Sequence, residues 1–251
     1  MHQKGLLTYA LNLIGNLVYI DEVDTGQLCN CYCPSCKEKL VAKNGGMKRV
    51  HHFAHASGVD CENAYETMLH QLAKLRVQEA FLSKEVFNVG FEYRSYCPHV
   101  KTCAFVRYGN CYISTHKRFN LKEFYDSCEQ EIQYDSINRR SDLKIFSSKK
   151  PQLAPIYIEF FVTHASDVSK LHNGGKIIEV KIESENDIQR IVDDGFIESS
   201  KCDSRLLEGI ESENISETTF WGFKSEDYDA KNITQAVSYT HLRAHETSAH
   251  L

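Results

Sequence analysis

The stretch IYIEFFVTHASDVSK, residues 156–170, decides how the chain is read. It sets one carboxylate, Glu159, inside an apolar run that has the pattern of a buried β-strand. An ionised carboxylate taken out of water costs several kcal/mol unless a cation, a hydrogen-bond network or an edge position compensates it. Under the two-residue period of a strand, Phe161 shares the face of Glu159, while Ile158, Phe160 and Val162 share the other. Both faces are therefore apolar. Glu159 is either a solvent-facing residue of a half-buried strand or the carboxylate of a site.

The chain has 251 residues, 42% hydrophobic and 25% charged, which allows one sizeable core with a small appended module. Its formal net charge of −5 excludes a global field that draws it to nucleic acid. A polyanion site must then be local, built from Lys48-Arg49, Lys117-Arg118 or Arg139-Arg140, or assisted by a metal ion. The start, KGLLTYALNLIGNLVYIDEVD, superficially resembles a secretory signal. Thr8, Asn12 and Asn16 interrupt its apolar run, and it reads instead as two short strands around a turn near Gly15. No segment is long and apolar enough to span a bilayer, so no membrane insertion is expected. A cytoplasmic protein with reduced thiols follows, and its ten cysteines point to metal sites rather than disulfides.

Composition divides the chain into residues 1–63, rich in strands, turns, cysteines and histidines; residues 64–236, where strands and helices mix; and residues 237–251. The last stretch, VSYTHLRAHETSAHL, has no core pattern and resembles translated sequencing-adapter read-through. It is set aside as non-native, with the natural chain expected to continue past Gln235. AYETMLHQLAKLRVQEAFLSK reads as an amphipathic helix on which Glu66, His70 and Lys74 form one polar stripe, either a solvated face or the border of a site. VFNVGFEYRSY reads as a strand, and NLKEFYDSCEQEI as a helix capped by Asn120. RRSDLKIF and IYIEFFVT read as strands joined by a turn at SSKKPQLAP, ASDVSKLH as a short helix, and GGKIIEVKI as a further strand. SENDIQRIVDDG reads as a helix capped by Ser184 and stopped at Gly195. The order strand, strand, helix, strand, helix gives an α/β core.

The cysteines form two groups. CNCYCPSC is followed by HHFAH and Cys61. Cys33 and Cys36 make a CxxC knuckle, a tight turn on which two thiolates converge on one tetrahedral ion; His52 and His55 lie 16 and 19 residues beyond Cys36, and Cys61 six beyond His55. That spacing suits structural Zn²⁺, with Cys33, Cys36, His52, His55 and Cys61 as five candidates for four places. Cys29 and Cys31 are spare thiols or small apolar residues. A redox CxxC is the rival reading, disfavoured because no helix pattern follows it. The second group, Cys97, Cys103 and Cys111 with His99, His116 or Cys128 as fourth member, is loosely spaced and is either a second metal site or a set of buried free cysteines.

YAL near the N-terminus, CPSC, HHFAH, Cys61 and the E-x-x-x-H-x-x-x-K helix resemble the N-terminal half of competence protein CoiA-like nucleases. SDLKIF, IEFFVTHASDVSK and KIIEVKI resemble that family's nuclease half, within the PD-(D/E)xK, restriction-endonuclease-like superfamily. The resemblance runs roughly from Tyr9 to Ile191. It implies an α/β fold with a restriction-endonuclease-like mixed-sheet core and an N-terminal zinc-binding β module. It also implies a metal-site pair, Asp142 and Glu159, on neighbouring strands, with Glu66 as a further helix carboxylate. Mg²⁺ or Mn²⁺ held there would polarise a scissile phosphate and lower the pKa of a bound water.

The superfamily pattern puts lysine two residues after the glutamate, where this chain has Phe161. Lys170, in the next predicted helix, and His164 are the candidate substitutes. A competing register uses Glu179-Val180-Lys181, a literal ExK, with Asp167 before it. Asp142 and Glu159 are preferred because adjacent strands place them together, and Glu179→Ala is then expected to spare activity. The resulting expectation is a metal-dependent deoxyribonuclease acting on single-stranded or incoming DNA, with DNA-processing proteins as further partners. The alternatives are a catalytically inactive nucleic-acid-binding module and a zinc-stabilised protein-interaction scaffold.

Overall fold

The computed structural model describes residues 5–59, 61–96, 99, 102, 112–133, 140–163, 175–198, 218–221 and 223. The fold is mixed α/β. Two short antiparallel hairpins come first, β1 (Tyr9–Leu11) with β2 (Leu17–Tyr19) and β3 (Leu40–Lys43) with β4 (His52–His55). The first closes through Asn12, whose side chain accepts from the backbone N–H groups of Ile14 and Asn16. Gly15 completes this turn at φ +86°, a conformation glycine adopts without a Cβ penalty. Isolated bridges from Tyr32 to Leu11 and Lys39 tie the two hairpins together.

Helix α1, Ala64–Ser83, follows without glycine or proline, and its Met68, Leu69, Leu72, Ala73, Val77 and Phe81 are buried. Beyond it, β5 (Asn88–Tyr96) pairs with β6 (Tyr112–Asn120) and, in parallel, with the two-residue β11 (Phe196–Ile197). The larger sheet is built from β7 (Ser127–Gln133), β8 (Arg140–Phe146), β9 (Ile156–Phe161), β10 (Lys176–Lys181) and β12 (Thr218–Trp221), in the order β12-β10-β9-β8-β7. β9 and β10 run parallel and the other pairs antiparallel.

Helix α2, Glu185–Asp194, starts at a capping box in which Asp187 accepts from the backbone and hydroxyl of Ser184, and it stops at Gly195. Gly195 has φ +82°, and a Cβ there would sit 2.0 Å from the carbonyl oxygen of Asn88. Only glycine fits that crossing with β5. One continuous apolar core runs from Leu7 and Ile20, through Cys33 and Leu40, to Leu143, Ile158, Ile178 and Phe220. Among the described residues no helix is long and apolar enough to cross a membrane.

The segment expected as a helix from Asn120 is a correction. Asn120 does cap, accepting from the backbone N–H of Lys122, but only a single 3₁₀ turn over Leu121–Glu123, after which the chain enters β7. The alternation of Cys128, Gln130 and Ile132 opposite Ile145, Leu143 and Ser141 prevails, because pairing with β8 contributes more than local helix preference. The short helix predicted over 165–172 lies outside the described residues, as do residues 237–251.

Candidate metal centre and sheet carboxylates

Between β1/β2 and α1 the chain gathers Cys33, Cys36, His55 and Cys61, whose ligand atoms all lie within 4.8 Å of one another; Cys36 Sγ is 3.3 Å from His55 Nε2. The knuckle forms because Lys37 turns left-handed at φ +62°, letting its N–H bond to Cys33 O at 3.1 Å while Cys33 N–H bonds to Glu38 O at 2.8 Å. Cys33 is buried, Cys36 exposed, and Cys61 half-buried just ahead of α1. Burial pushes the Cys33 thiol up to about 11, against the backbone N–H groups of Cys36 and Ser35 that favour its thiolate. At Cys61 burial acts in the same upward direction, but hydrogen bonds from the Ser35 hydroxyl, the Cys36 thiol and the Asn63 backbone outweigh it and lower the pKa.

Three thiols and one imidazole are a donor set that Zn²⁺ takes. Tetrahedral Zn–S bonds of about 2.3 Å set sulfurs roughly 3.8 Å apart, which this cluster accommodates. Of the five candidates, the structure brings four together. His52 is the one left out, because it stands three residues before His55 on β4, and an odd offset on a strand points the two rings to opposite faces. Its Nδ1 lies 2.9 Å from Val50 O instead. Cys29 and Cys31 also stay outside, their thiols donating to backbone oxygens of Leu40 and Cys29 at 3.5 and 3.2 Å. Burial and the nearby Cys29 raise the Cys31 thiol to about 12, so it packs as a neutral side chain.

The second set of candidates converges on the large sheet. Asp142 is on β8, where its Oδ2 accepts from the Phe160 backbone N–H at 2.8 Å. A carboxylate thus takes a place that a ladder carbonyl would otherwise fill. From α1, His70 Nε2 lies 3.0 Å from the same oxygen and 3.1 Å from Phe160 O. Two acceptors on one nitrogen require that Nε2 carry the proton. The rest of the α1 stripe lies along the same line: Glu66 accepts from the Thr163 hydroxyl at 3.0 Å, and Lys74 pairs with Glu131 at 2.8 Å. Lys74 holds the Glu131 carboxyl below the usual carboxylate range. The stripe is therefore no solvated face. It rests on the sheet around Asp142.

Glu159, the carboxylate of the opening stretch, is buried, with 4% of its surface exposed. One step beyond the Leu143–Ile158 pair lie Asp142 and Glu159, so both face the same side of the sheet. On the other flank the parallel register sets Glu179, 5% exposed, directly beside Glu159, and Lys181 beside Phe161. The glutamates of the two registers weighed as alternatives in the sequence, Glu159 and Glu179, thus share one face of the sheet. Mg²⁺ and Mn²⁺ accept such a donor set with one or two carboxylates, completing their octahedra with water and phosphate.

His164, Lys170 and Asp167 lie outside the described residues, as do Cys97, Cys103 and Cys111. Of their proposed companions, His99 is exposed, and Cys128 is buried in β7 with its thiol raised by burial to about 12.

Residues 20–64 match the family described as competence protein CoiA, N-terminal domain. Over this segment the chain is similar to CoiA-like proteins. The matched segment contains all four residues of the Cys/His cluster and ends where α1 begins. Comparison with the curated proteins and with the solved structures gave no match. The CoiA-type domain accordingly identifies the first part of the chain, and the sheet carboxylates rest on their geometry.

Proposed function

We propose that this protein is a metal-dependent nuclease that hydrolyses DNA phosphodiester bonds, in the uptake or processing of single-stranded or incoming DNA, with its CoiA-type domain stabilised by zinc. The competence description of the matched family supports the setting. One observation carries the catalytic part: Asp142 leaves the ladder of β8 and turns its carboxylate to the Phe160 N–H and to His70, beside the buried Glu159. Inserting a carboxylate there is a poor choice for a purely structural sheet and a good one for a site held in fixed geometry.

In this reading Asp142 and Glu159 would hold Mg²⁺ or Mn²⁺, which supplies Lewis-acid polarisation of the phosphate and a more acidic water. His70 and the Phe160 N–H hold Asp142 Oδ2, and Oδ1, outside those two bonds, would be the oxygen offered to the ion. Glu66, anchored to Thr163, stands at the border of the same site. Lys170 and His164 follow β9 in sequence and are the candidates for an ammonium or imidazole near the phosphate. In the reaction a water oxygen bonds to phosphorus and the bond from phosphorus to the leaving sugar oxygen breaks, that oxygen taking up a proton. DNA-processing proteins are the further partners this setting calls for.

The test is cleavage of labelled single- and double-stranded DNA with Mg²⁺ or Mn²⁺ by the zinc-loaded chain and by Glu159→Ala. The expected result is metal-dependent cutting that falls at least about 10³-fold in the variant. Phe161, standing where the superfamily pattern has lysine, favours a second reading as an inactive nucleic-acid-binding module. Salt-sensitive DNA binding without turnover in either protein would establish that reading. Absence of both binding and turnover would point to a scaffold.

A further inference from the structure

The sheet places a second E-x-K strand against the first. β9 carries Glu159-Phe160-Phe161 and β10 carries Glu179-Val180-Lys181, in parallel and in register residue for residue. Register partners in a parallel pair project to the same face, and neighbouring strands lie about 4.8 Å apart. Glu159 and Glu179 are therefore adjacent, both more than nine-tenths buried. On the same face Lys181 takes the place next to Phe161, and its side chain is 32% exposed. Its ammonium meets Glu183 Oε1 at 2.9 Å in a partly exposed pair. Both residues sit toward the carboxyl ends of two parallel strands, the side of such a sheet where ligands generally bind.

We propose that β10 forms the second wall of the site: Glu179 adds a carboxylate to the surroundings of the ion that Asp142 and Glu159 would hold, and Lys181 faces the scissile phosphate from the position beside Phe161. This rests on the nuclease reading above and reverses the expectation that Glu179 is dispensable. Phosphoryl transfer spreads negative charge over the non-bridging oxygens, and an ammonium fixed beside them stabilises the transition state more than the bound substrate. Strand β9 supplies only Phe161 at that place, and its in-register neighbour restores the charge.

The experiment measures Mn²⁺ affinity by calorimetry, DNA binding with Ca²⁺, and cleavage with Mg²⁺ for the zinc-loaded full chain, Glu179→Gln and Lys181→Met. Melting temperature and zinc content report that each variant folds. Glu179→Gln is expected to weaken Mn²⁺ binding about tenfold or more. Lys181→Met is expected to keep Mn²⁺ affinity and lose about 100-fold in cleavage. Wild-type Mn²⁺ affinity in Glu179→Gln, or wild-type cleavage in Lys181→Met, overturns the proposal while the nuclease reading stands. A wild-type chain that neither binds Mn²⁺ nor cuts removes the nuclease reading and this inference with it.

Discussion

The CoiA-type domain and the large sheet each gather reactive side chains, by opposite means. In the domain, Cys33, Cys36, His55 and Cys61 are neighbours along the chain and converge through a knuckle, one strand and a helix start. In the sheet, Asp142, Glu159 and Glu179 come from three strands, and only register sets them on one face. A cluster closed by local turns shows in residue spacing; a site closed by strand pairing does not. The two should also fail differently, the domain through folding and the sheet through chemistry.

The largest effect is expected at the cluster. Cys36→Ser removes a thiol that meets His55 at 3.3 Å, so if the cluster holds zinc the variant should lose that metal and melt about 10 °C lower or more than the zinc-loaded chain. His52→Ala, on the opposite face of β4, should keep one zinc per chain by atomic absorption and melt within about 2 °C of wild type. Equal zinc loss in both variants would make the cluster wider than four ligands and break the contrast with the sheet.

How legible each region was follows from the same distinction. The spacing of CPSC, HHFAH and Cys61 pointed to the residues that the structure gathers, and strand alternation alone separates His52 from them once β4 is known. The helix at Ala64, the strands around Asp142 and Glu159, and the Ser184 and Gly195 boundaries were readable because periodicity and capping are local signals. β7 was misread because Asn120 does cap a turn, and nothing local says that the turn stops after Glu123. Glu179 took second place because adjacent strands were expected to bring Asp142 and Glu159 together; that residue 179 also pairs with residue 159 is a property of the sheet, invisible to local pattern. The contact of His70 with Asp142 was equally hidden, since the helical stripe gave its direction and not its target.

His70 sharpens the comparison at a smaller scale. It touches Asp142 and the Phe160 carbonyl, so it acts by positioning, and His70→Ala should lower Mn²⁺ affinity and cleavage about 10- to 100-fold. Zinc content should stay unchanged and the melting temperature should move by no more than about 3 °C. His70→Gln, which keeps an N–H donor, should recover part of the loss. A purely structural role would show the reverse, with a large drop in melting temperature and unaltered Mn²⁺ affinity in the protein that remains folded.

The smallest effect separates burial that serves chemistry from burial that does not. Lys176 opens β10 opposite Ile156, is 6% exposed, and burial lowers its pKa below the ordinary lysine range. The charged form is thus penalised in the folded state, and the unfolded chain binds the proton more tightly. Stability consequently rises with pH between the depressed folded value and the unfolded value near 10.5, as that proton is released. Lys176→Met removes the penalty at neutral pH and should stabilise the fold by about 1 kcal/mol in urea melts, with the gain shrinking as the pH approaches the unfolded value. Glu179 lies three residues further along the same strand and is buried to a similar degree. If burial alone governed both, Glu179→Gln would raise stability in the same way and leave cleavage intact. If Glu179 serves the site, its neutral variant stabilises the fold and loses activity, and only Lys176→Met is gained at no cost to function.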